Sequence, residues 1–180
     1  MTLQTSRLLL SSISAEDVKE VHELLSLAET DRYNTLGIPG NIGVTQKIVH
    51  DWLATQNASA PTNYVFRLDL IYIEEFIGLI ALNMGKPSYK TAEVWFKTHP
   101  AQWSKGYTTE ALRKILEFGF NELGLHRIEA GCAVENTASA KVLEKAGMTR
   151  EGLKRKKLPI RGEWKDNFFY GILEEDFFSL

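Results

Sequence analysis

The stretch Trp103-Ser104-Lys105-Gly106-Tyr107-Thr108-Thr109-Glu110-Ala111-Leu112 sets a lysine and a glycine directly before an apolar-periodic helix. A helix start leaves backbone N–H groups without intrahelical partners, and the aligned peptide dipoles place partial positive charge there. Such a junction binds phosphate largely through the main chain. Gly106 has no Cβ, so a ligand can approach its backbone closely, and Lys105 adds a point charge. The chain carries neither Gly-x-x-x-x-Gly-Lys-Ser/Thr nor the three spaced glycines of a dinucleotide fingerprint. The expected ligand is a phosphorylated cofactor of another kind.

A second constellation follows at Asn136-Thr137-Ala138-Ser139-Ala140-Lys141-Val142-Leu143-Glu144-Lys145-Ala146-Gly147-Met148. Asn136 is placed to cap a short helix, and Ser139 lies three residues on. In order and separation the two motifs resemble the GNAT family of N-acetyltransferases, and within it the branch of ribosomal-protein N-terminal acetyltransferases. In that family a loop of form Gln/Arg-x-x-Gly-x-Gly/Ala cradles the pyrophosphate of acetyl-CoA. Here Trp103 stands at the Gln/Arg position, Gly106 at the first glycine and Thr108 at the Gly/Ala, with Ser104 replacing a common glycine. Thr5-Ser6-Arg7-Leu8-Leu9-Leu10 with Ser14-Ala15-Glu16-Asp17 resembles the family's opening strand and helix. Ala92-Glu93-Val94-Trp95-Phe96 resembles its central strand, and Gly162-Glu163-Trp164-Lys165-Asp166 with Tyr170 its closing hairpin.

The resemblance implies acetyl-CoA as cofactor. Its contacts would be Phe96, Lys97 and Thr98 along the central strand, Trp103, Ser104, Lys105, Gly106, Tyr107, Thr108 and Thr109 at the loop, and Asn136 and Lys141 near the second helix. Many relatives place a tyrosine seven residues after the Asn to protonate the leaving thiolate; this chain has Leu143 there. In the ribosomal-protein branch the serine three after the Asn takes that role, which is Ser139 here, beside Asn136 at the pantetheine arm. An unperturbed hydroxyl is a very weak acid, so Ser139 would act by hydrogen bonding to the developing thiolate. An amine must be neutral to attack, so a carboxylate base is also expected. Glu93 is the first candidate and Glu135 the reserve.

At 180 residues and 44% hydrophobic composition, the chain is expected to be one domain with a substantial core. The net charge of −2 supplies no global basic field for nucleic acid or anionic membrane. No apolar run nears the ~20 residues that span a bilayer, and the start carries no basic-then-apolar signal. With one cysteine, Cys132, no intramolecular disulfide forms, and a cytoplasmic setting is expected. His22, His50, His99 and His126 are scattered without metal-ligand spacing, so no metal is expected.

The elements that must position these groups follow from spacing. Leu8–Ile13 reads as a strand, and Ser14 as the cap of a helix carrying Val18, Val21, Leu24 and Leu25. Thr30–Val44, with Gly37, Pro39, Gly40 and Gly43, is a loop or broken helix, and Thr45 can cap a second helix. Strands are expected at Tyr64–Leu70, Glu75–Asn83 and Thr91–Lys97, and a helix at Gly106–Leu123. A strand at Arg127–Ala133 and a helix at Thr137–Lys145, closed by Gly147, come next. Met148–Leu158 and Trp164–Leu173 form the last strand pair around Arg161-Gly162.

The expected fold class is α/β: a mixed, mostly antiparallel, splayed sheet flanked by helices. Its expected function is acetyl transfer to a primary amine, a protein N-terminus or a small molecule, by direct attack in a ternary complex. The alternative is a CoA-binding sensor or assembly protein without catalysis. The acceptor pocket is expected from the two front helices, the Thr30–Val44 loop and the final hairpin; Trp164 and Tyr170 fit either that pocket or the core, and the closing strands with exposed apolar side chains allow a homodimer.

Overall fold

The computed structural model describes residues 1–179. Its centre is an eight-stranded sheet of order β1-β2-β3-β4-β5-β6-β8-β7. The strands are β1 (Thr2–Gln4), β2 (Leu8–Ser12), β3 (Asn63–Leu70), β4 (Glu75–Met84), β5 (Thr91–Thr98), β6 (Arg127–Ala133), β7 (Thr149–Ile160) and β8 (Glu163–Leu173). Neighbours are antiparallel except β5 and β6, which are parallel. The mixed α/β sheet expected from the sequence is therefore the fold. The short strand β1, which lacks enough alternation to read in sequence, pairs with β2 through Leu3 and Leu10.

Helices α1 (Val18–Ser26), α2 (Ala28–Asp31) and α3 (Ile42–Gln56) precede the meander. Ser14 accepts from the Glu16 N–H, and the Asp17 carboxylate accepts from the Ser14 N–H at 2.6 Å. This reciprocal cap fixes the entry to α1. The expected cap of α3 is corrected. Asn41, not Thr45, caps it by accepting from the Val44 N–H at 3.2 Å. Thr45 lies inside the first turn, buried, with its hydroxyl 2.8 Å from His22 Nδ1. A threonine can bond a neighbouring side chain as well as a helix end, and sequence does not separate the two.

Helices α4 (Tyr107–Asn121) and α5 (Thr137–Lys145) cover the opposite face, and α6 (Glu174–Phe177) ends the described chain. Ala111, Leu112, Ile115 and Leu116 of α4 are fully buried against β2–β6. Each of the two leucines and the isoleucine stabilises the fold by roughly 1.5–3 kcal/mol. Gly119 lets α4 approach β6, because a Cβ there would lie 2.6 Å from Ile128 Cδ1. Val65, Leu79, Ala81 and Trp95 of the sheet pack with α1 and α3 in a second core on the other face.

Candidate active site

The sheet opens between its two parallel strands. Thr91, Ala92 and Glu93 of β5 pair with Arg127, Ile128 and Glu129 of β6. Beyond that rung β5 stays paired to β4 as far as Thr98, and β6 to β8 as far as Ala133, but not to each other. The two strands diverge, and each keeps an unpaired edge facing the gap.

Hydrogen-bond alternation tells which groups occupy that edge. The Gly85 N–H donates to Thr91 O and the His99 N–H to Ile77 O, both at 2.8 Å. In an antiparallel ladder such bonded pairs recur at every second residue. Glu93, Trp95 and Lys97 therefore spend their backbone groups on β4, while Val94, Phe96 and Thr98 turn theirs to the gap. The Thr98 carbonyl is taken by the Trp103 indole N–H at 2.8 Å. The Val94 N–H is used by the Glu93–Glu129 rung, so the Val94 C=O and the N–H and C=O of Phe96 remain for a ligand lying along the strand.

Side chains follow the opposite alternation. Glu93, Trp95 and Lys97 project to the α1–α3 face, where Trp95 stacks near Trp52 with centroids 5.5 Å apart. Val94 and Phe96 project to the α4–α5 face. A cleft of about 250 Å³ runs through the gap. Glu93, Val94 and Phe96 form one wall, and Gly131 and Cys132 the other. Asn136, Ser139 and Leu143 lie at one mouth, with Tyr33, Asn34, Thr35 and Leu158 also lining it. Asn136 Oδ1 accepts from the Ser139 N–H at 3.1 Å, which is the cap of α5. Glu93 is exposed and has neither ion pair nor hydrogen bond among the described residues, whereas neighbouring Glu129 accepts from Arg127 Nε at 2.8 Å.

The loop before α4 fits a diphosphate. Ser104 and Gly106 both take positive φ, 61° and 82°, an alternation that turns successive N–H groups inward as an anion-binding nest. From Ser104 to Thr109 no backbone N–H finds an acceptor among the described residues, and α4 has no side-chain cap. Glu110 N–H is the first to bond, to Gly106 O at 3.0 Å. A Cβ on Gly106 would lie 3.5 Å from Arg7 Nη2. The Thr98 and Thr108 hydroxyls, 2.9 Å apart, tie the end of β5 to the start of α4.

Arg7 braces this loop, a role that no local sequence signal announces. Its guanidinium donates to Glu110 Oε2 at 2.6 Å and to the Lys105 carbonyl at 3.1 Å, and it stacks over Tyr107 at 4.6 Å. Thr5 and the Arg7 backbone also donate to Glu110. Burial works to raise the Glu110 carboxyl, but the hydrogen bonds from Thr5 and Arg7 outweigh it and hold it below its ordinary value.

These geometries accompany clear likenesses to known proteins. The family described as the acetyltransferase (GNAT) domain matches residues 7–149. The uncharacterized N-acetyltransferase YnaD of Bacillus subtilis (strain 168) is 34% identical, over 98% of this chain and 99% of that protein. The chain belongs to the GNAT acetyltransferases. Its fold is shared with spermidine N-acetyltransferase from Vibrio cholerae in complex with CoA and spermine, at TM-score 0.85 and 21% identity over 97% of this chain and 99% of that one. It is shared too with RimL, a ribosomal L7/L12 alpha-N-protein acetyltransferase in complex with coenzyme A. There the TM-score is 0.88 and identity 17%, over 96% of this chain and 98% of that one.

As a GNAT acetyltransferase the protein uses acetyl-CoA, and the free edge and the nest are suited to its pantetheine and pyrophosphate. Not every residue named from the sequence shares that place. Lys97 has its backbone on β4 and its side chain buried on the far face. Burial there depresses the ammonium to about 8, with Asp31 acting against the depression. Lys105 Nζ donates to Gln102 Oε1 at 2.8 Å. Lys141 and Glu135 are exposed and do not line the cleft. Trp164 is exposed, while Tyr170 is buried in the core and donates to Glu144 at 3.0 Å. Burial and that bond push Tyr170 up to about 12. Cys132 lines the cleft, but burial, with the Glu144 charge, raises its thiol to about 11, which leaves it protonated and a poor nucleophile. The Thr30–Val44 loop and the final hairpin, expected at the acceptor pocket, contribute Tyr33–Thr35 and Leu158 to the cleft; sequence reasoning missed Arg7 and Gly131, because contacts across the sheet have no periodic signal.

Proposed function

We propose that the protein transfers an acetyl group from acetyl-CoA to a primary amine by direct attack, within one ternary complex, in the gap between β5 and β6. The observation that carries this reading is the free backbone edge from the Val94 carbonyl through Phe96, with an unpaired carboxylate on one face and a helix-capped serine on the other. Bound acetyl-CoA supplies the thioester whose carbonyl carbon the amine attacks and whose C–S bond then breaks. Glu93, on the α1–α3 face, takes the amine proton directly or through a water. The strand N–H groups at the gap polarise the acetyl oxygen, commonly a large catalytic contribution. Ser139, on the α4–α5 face, donates a hydrogen bond toward the departing sulfur. Asn136 holds the start of α5, and with it Ser139, in place through its cap.

The acceptor enters from the face of Tyr33–Thr35 and Leu158, the side on which Glu93 stands. The branch we favour is that of the ribosomal-protein N-terminal acetyltransferases. It rests on Ser139 beside Asn136 and on Leu143 where a tyrosine stands in many relatives. Leu143 is also the one observation favouring a CoA-binding protein without turnover. A panel of small amines and peptides scored by release of free CoA separates the two. Turnover with any primary amine supports transfer, and tight acetyl-CoA binding with no turnover across the panel contradicts it.

A further inference from the structure

The outer strand β7, at one edge of the sheet, carries the chain's densest run of positive charge, Lys154-Arg155-Lys156-Lys157, in a protein whose net charge is −2. The register of β7 against β8 breaks within this run. Lys154 pairs with Asn167 and Leu158 with Lys165, so β7 spends four positions where β8 spends two. Arg155, Lys156 and Lys157 thus form a bulge. Lys156 takes φ of 46°, a left-handed conformation that disfavours a residue with a Cβ. It is held there by its N–H donating to Asp166 Oδ1 at 2.7 Å. Bulges of this kind re-aim side chains next to functional sites.

Two further observations give the bulge a purpose. Arg155, Lys156 and Lys157 are exposed, and none forms an ion pair among the described residues, although the neighbouring Arg127, Arg161 and Lys165 all do. The residue that re-enters the ladder, Leu158, lines the catalytic cleft. Arg32 is exposed next to Tyr33, which also lines that cleft. The acceptor mouth is flanked by cations that form no ion pair among the described residues, with Asp166 the one carboxylate set into the bulge, on the Lys156 N–H.

We propose that this bulge docks an acidic peptide segment whose N-terminal amine enters the cleft past Leu158. The proposal rests on the acetyl-transfer reading and names its acceptor class. The adjacency of Leu158 to Lys157 places the peptide's carboxylates within its first few residues, since an extended chain advances only about 3.3 Å per residue. A nucleic acid would match the charge but brings no alkyl amine to acetylate. A second copy of the chain would set two cationic edges against each other.

The test uses two fluorescent hexapeptides of equal length, one Ser-Glu-Asp-Glu-Glu-Gly and one Ser-Gln-Asn-Gln-Gln-Gly. Binding to the CoA-loaded protein is read by anisotropy and turnover by CoA release. The acidic peptide is expected to bind and react about tenfold better at low salt, an advantage that shrinks as salt screens it. Arg155→Gln with Lys157→Gln leaves the strained Lys156 in place. It should remove the acidic peptide's KM advantage while leaving kcat and the neutral peptide unchanged. Equal binding of both peptides, or a double variant that keeps the preference, overturns the proposal, as does preferential binding of a single-stranded oligonucleotide. Sedimentation showing a dimer that the double substitution dissolves overturns it as well. Absence of turnover with every amine refutes the acetyl-transfer reading instead, and anisotropy still decides the docking.

Discussion

Glu93 stands opposite Glu129 on the last rung that joins β5 to β6, and only one of the two carboxylates is neutralised. Arg127 binds Glu129 at 2.8 Å and also pairs with Glu151. Glu93 is left unpaired at the point where the strands begin to part. The fold thus sets a free carboxylate beside the free backbone edge of the gap, and ties up the carboxylate next to it.

Glu93→Gln keeps the shape and removes the proposed base. On an identified acceptor its kcat/KM should fall about 10²- to 10⁴-fold, the span of general-base assistance. The loss should shrink as pH rises and the amine loses its proton unaided. Initial-rate profiles against pH test this, and a wild-type rate and profile in the variant contradict it.

Gly106→Val tests the phosphate nest. Gly106 takes φ of 82°, which a β-branched residue adopts poorly. Calorimetry should show acetyl-CoA affinity weakened at least tenfold in a protein that still folds. Unchanged affinity removes the loop from the binding site.

Much of this arrangement is readable in the sequence. Strand β6 and helix α5 have the bounds that spacing assigns, because Asn136 caps α5 and Gly147, at φ 95°, closes it. Such stops act through the adjacent backbone, so they are local. The Arg7–Glu110 brace is not readable: it joins the bend before β2 to α4, and either residue alone looks like a solvated charge. Lys97 is hidden for the same reason. Strand alternation puts it on the α1–α3 face, but only the packing of that face shows that its Nζ is buried without a hydrogen bond. The Thr30–Val44 loop is expected at the acceptor pocket from the sequence, but only packing shows that Tyr33–Thr35 are the residues of it that line the cleft.

Lys97 gives a pH signature. Its folded value of about 8 lies below the usual lysine value of 10.5, so below pH 8 the fold bears the full penalty of a buried ammonium. Between pH 8 and 10.5 the unfolded chain binds more protons, and stability contributed by this group rises with pH. A tenfold change in proton affinity between folded and unfolded chain is worth about 1.4 kcal/mol. Lys97→Met should therefore be more stable than wild type at pH 7 by about 3 kcal/mol. The gap should close toward pH 10.5 in urea titrations. A gap that does not change with pH contradicts the burial of a charged Lys97.

Ser139→Ala addresses the other side of the reaction. A donor that strengthens as charge develops on sulfur affects turnover more than binding. The variant should lose about 10- to 1000-fold in kcat with little change in acetyl-CoA affinity. A variant as fast as wild type, with chemistry shown to limit the rate, makes Ser139 a packing residue of α5.

Direct transfer to nitrogen, with no acetylated protein on the way, is the step on which the Glu93 and Ser139 outcomes depend. Mass spectrometry of both acceptor and protein after incubation with acetyl-CoA tests it in one measurement. The acceptor should gain one acetyl group on its primary amine, in step with CoA released, while the protein, Cys132 included, stays unmodified. Acetylated protein that forms without acceptor and then passes its group on contradicts direct transfer, as does CoA release with the acceptor amine unchanged.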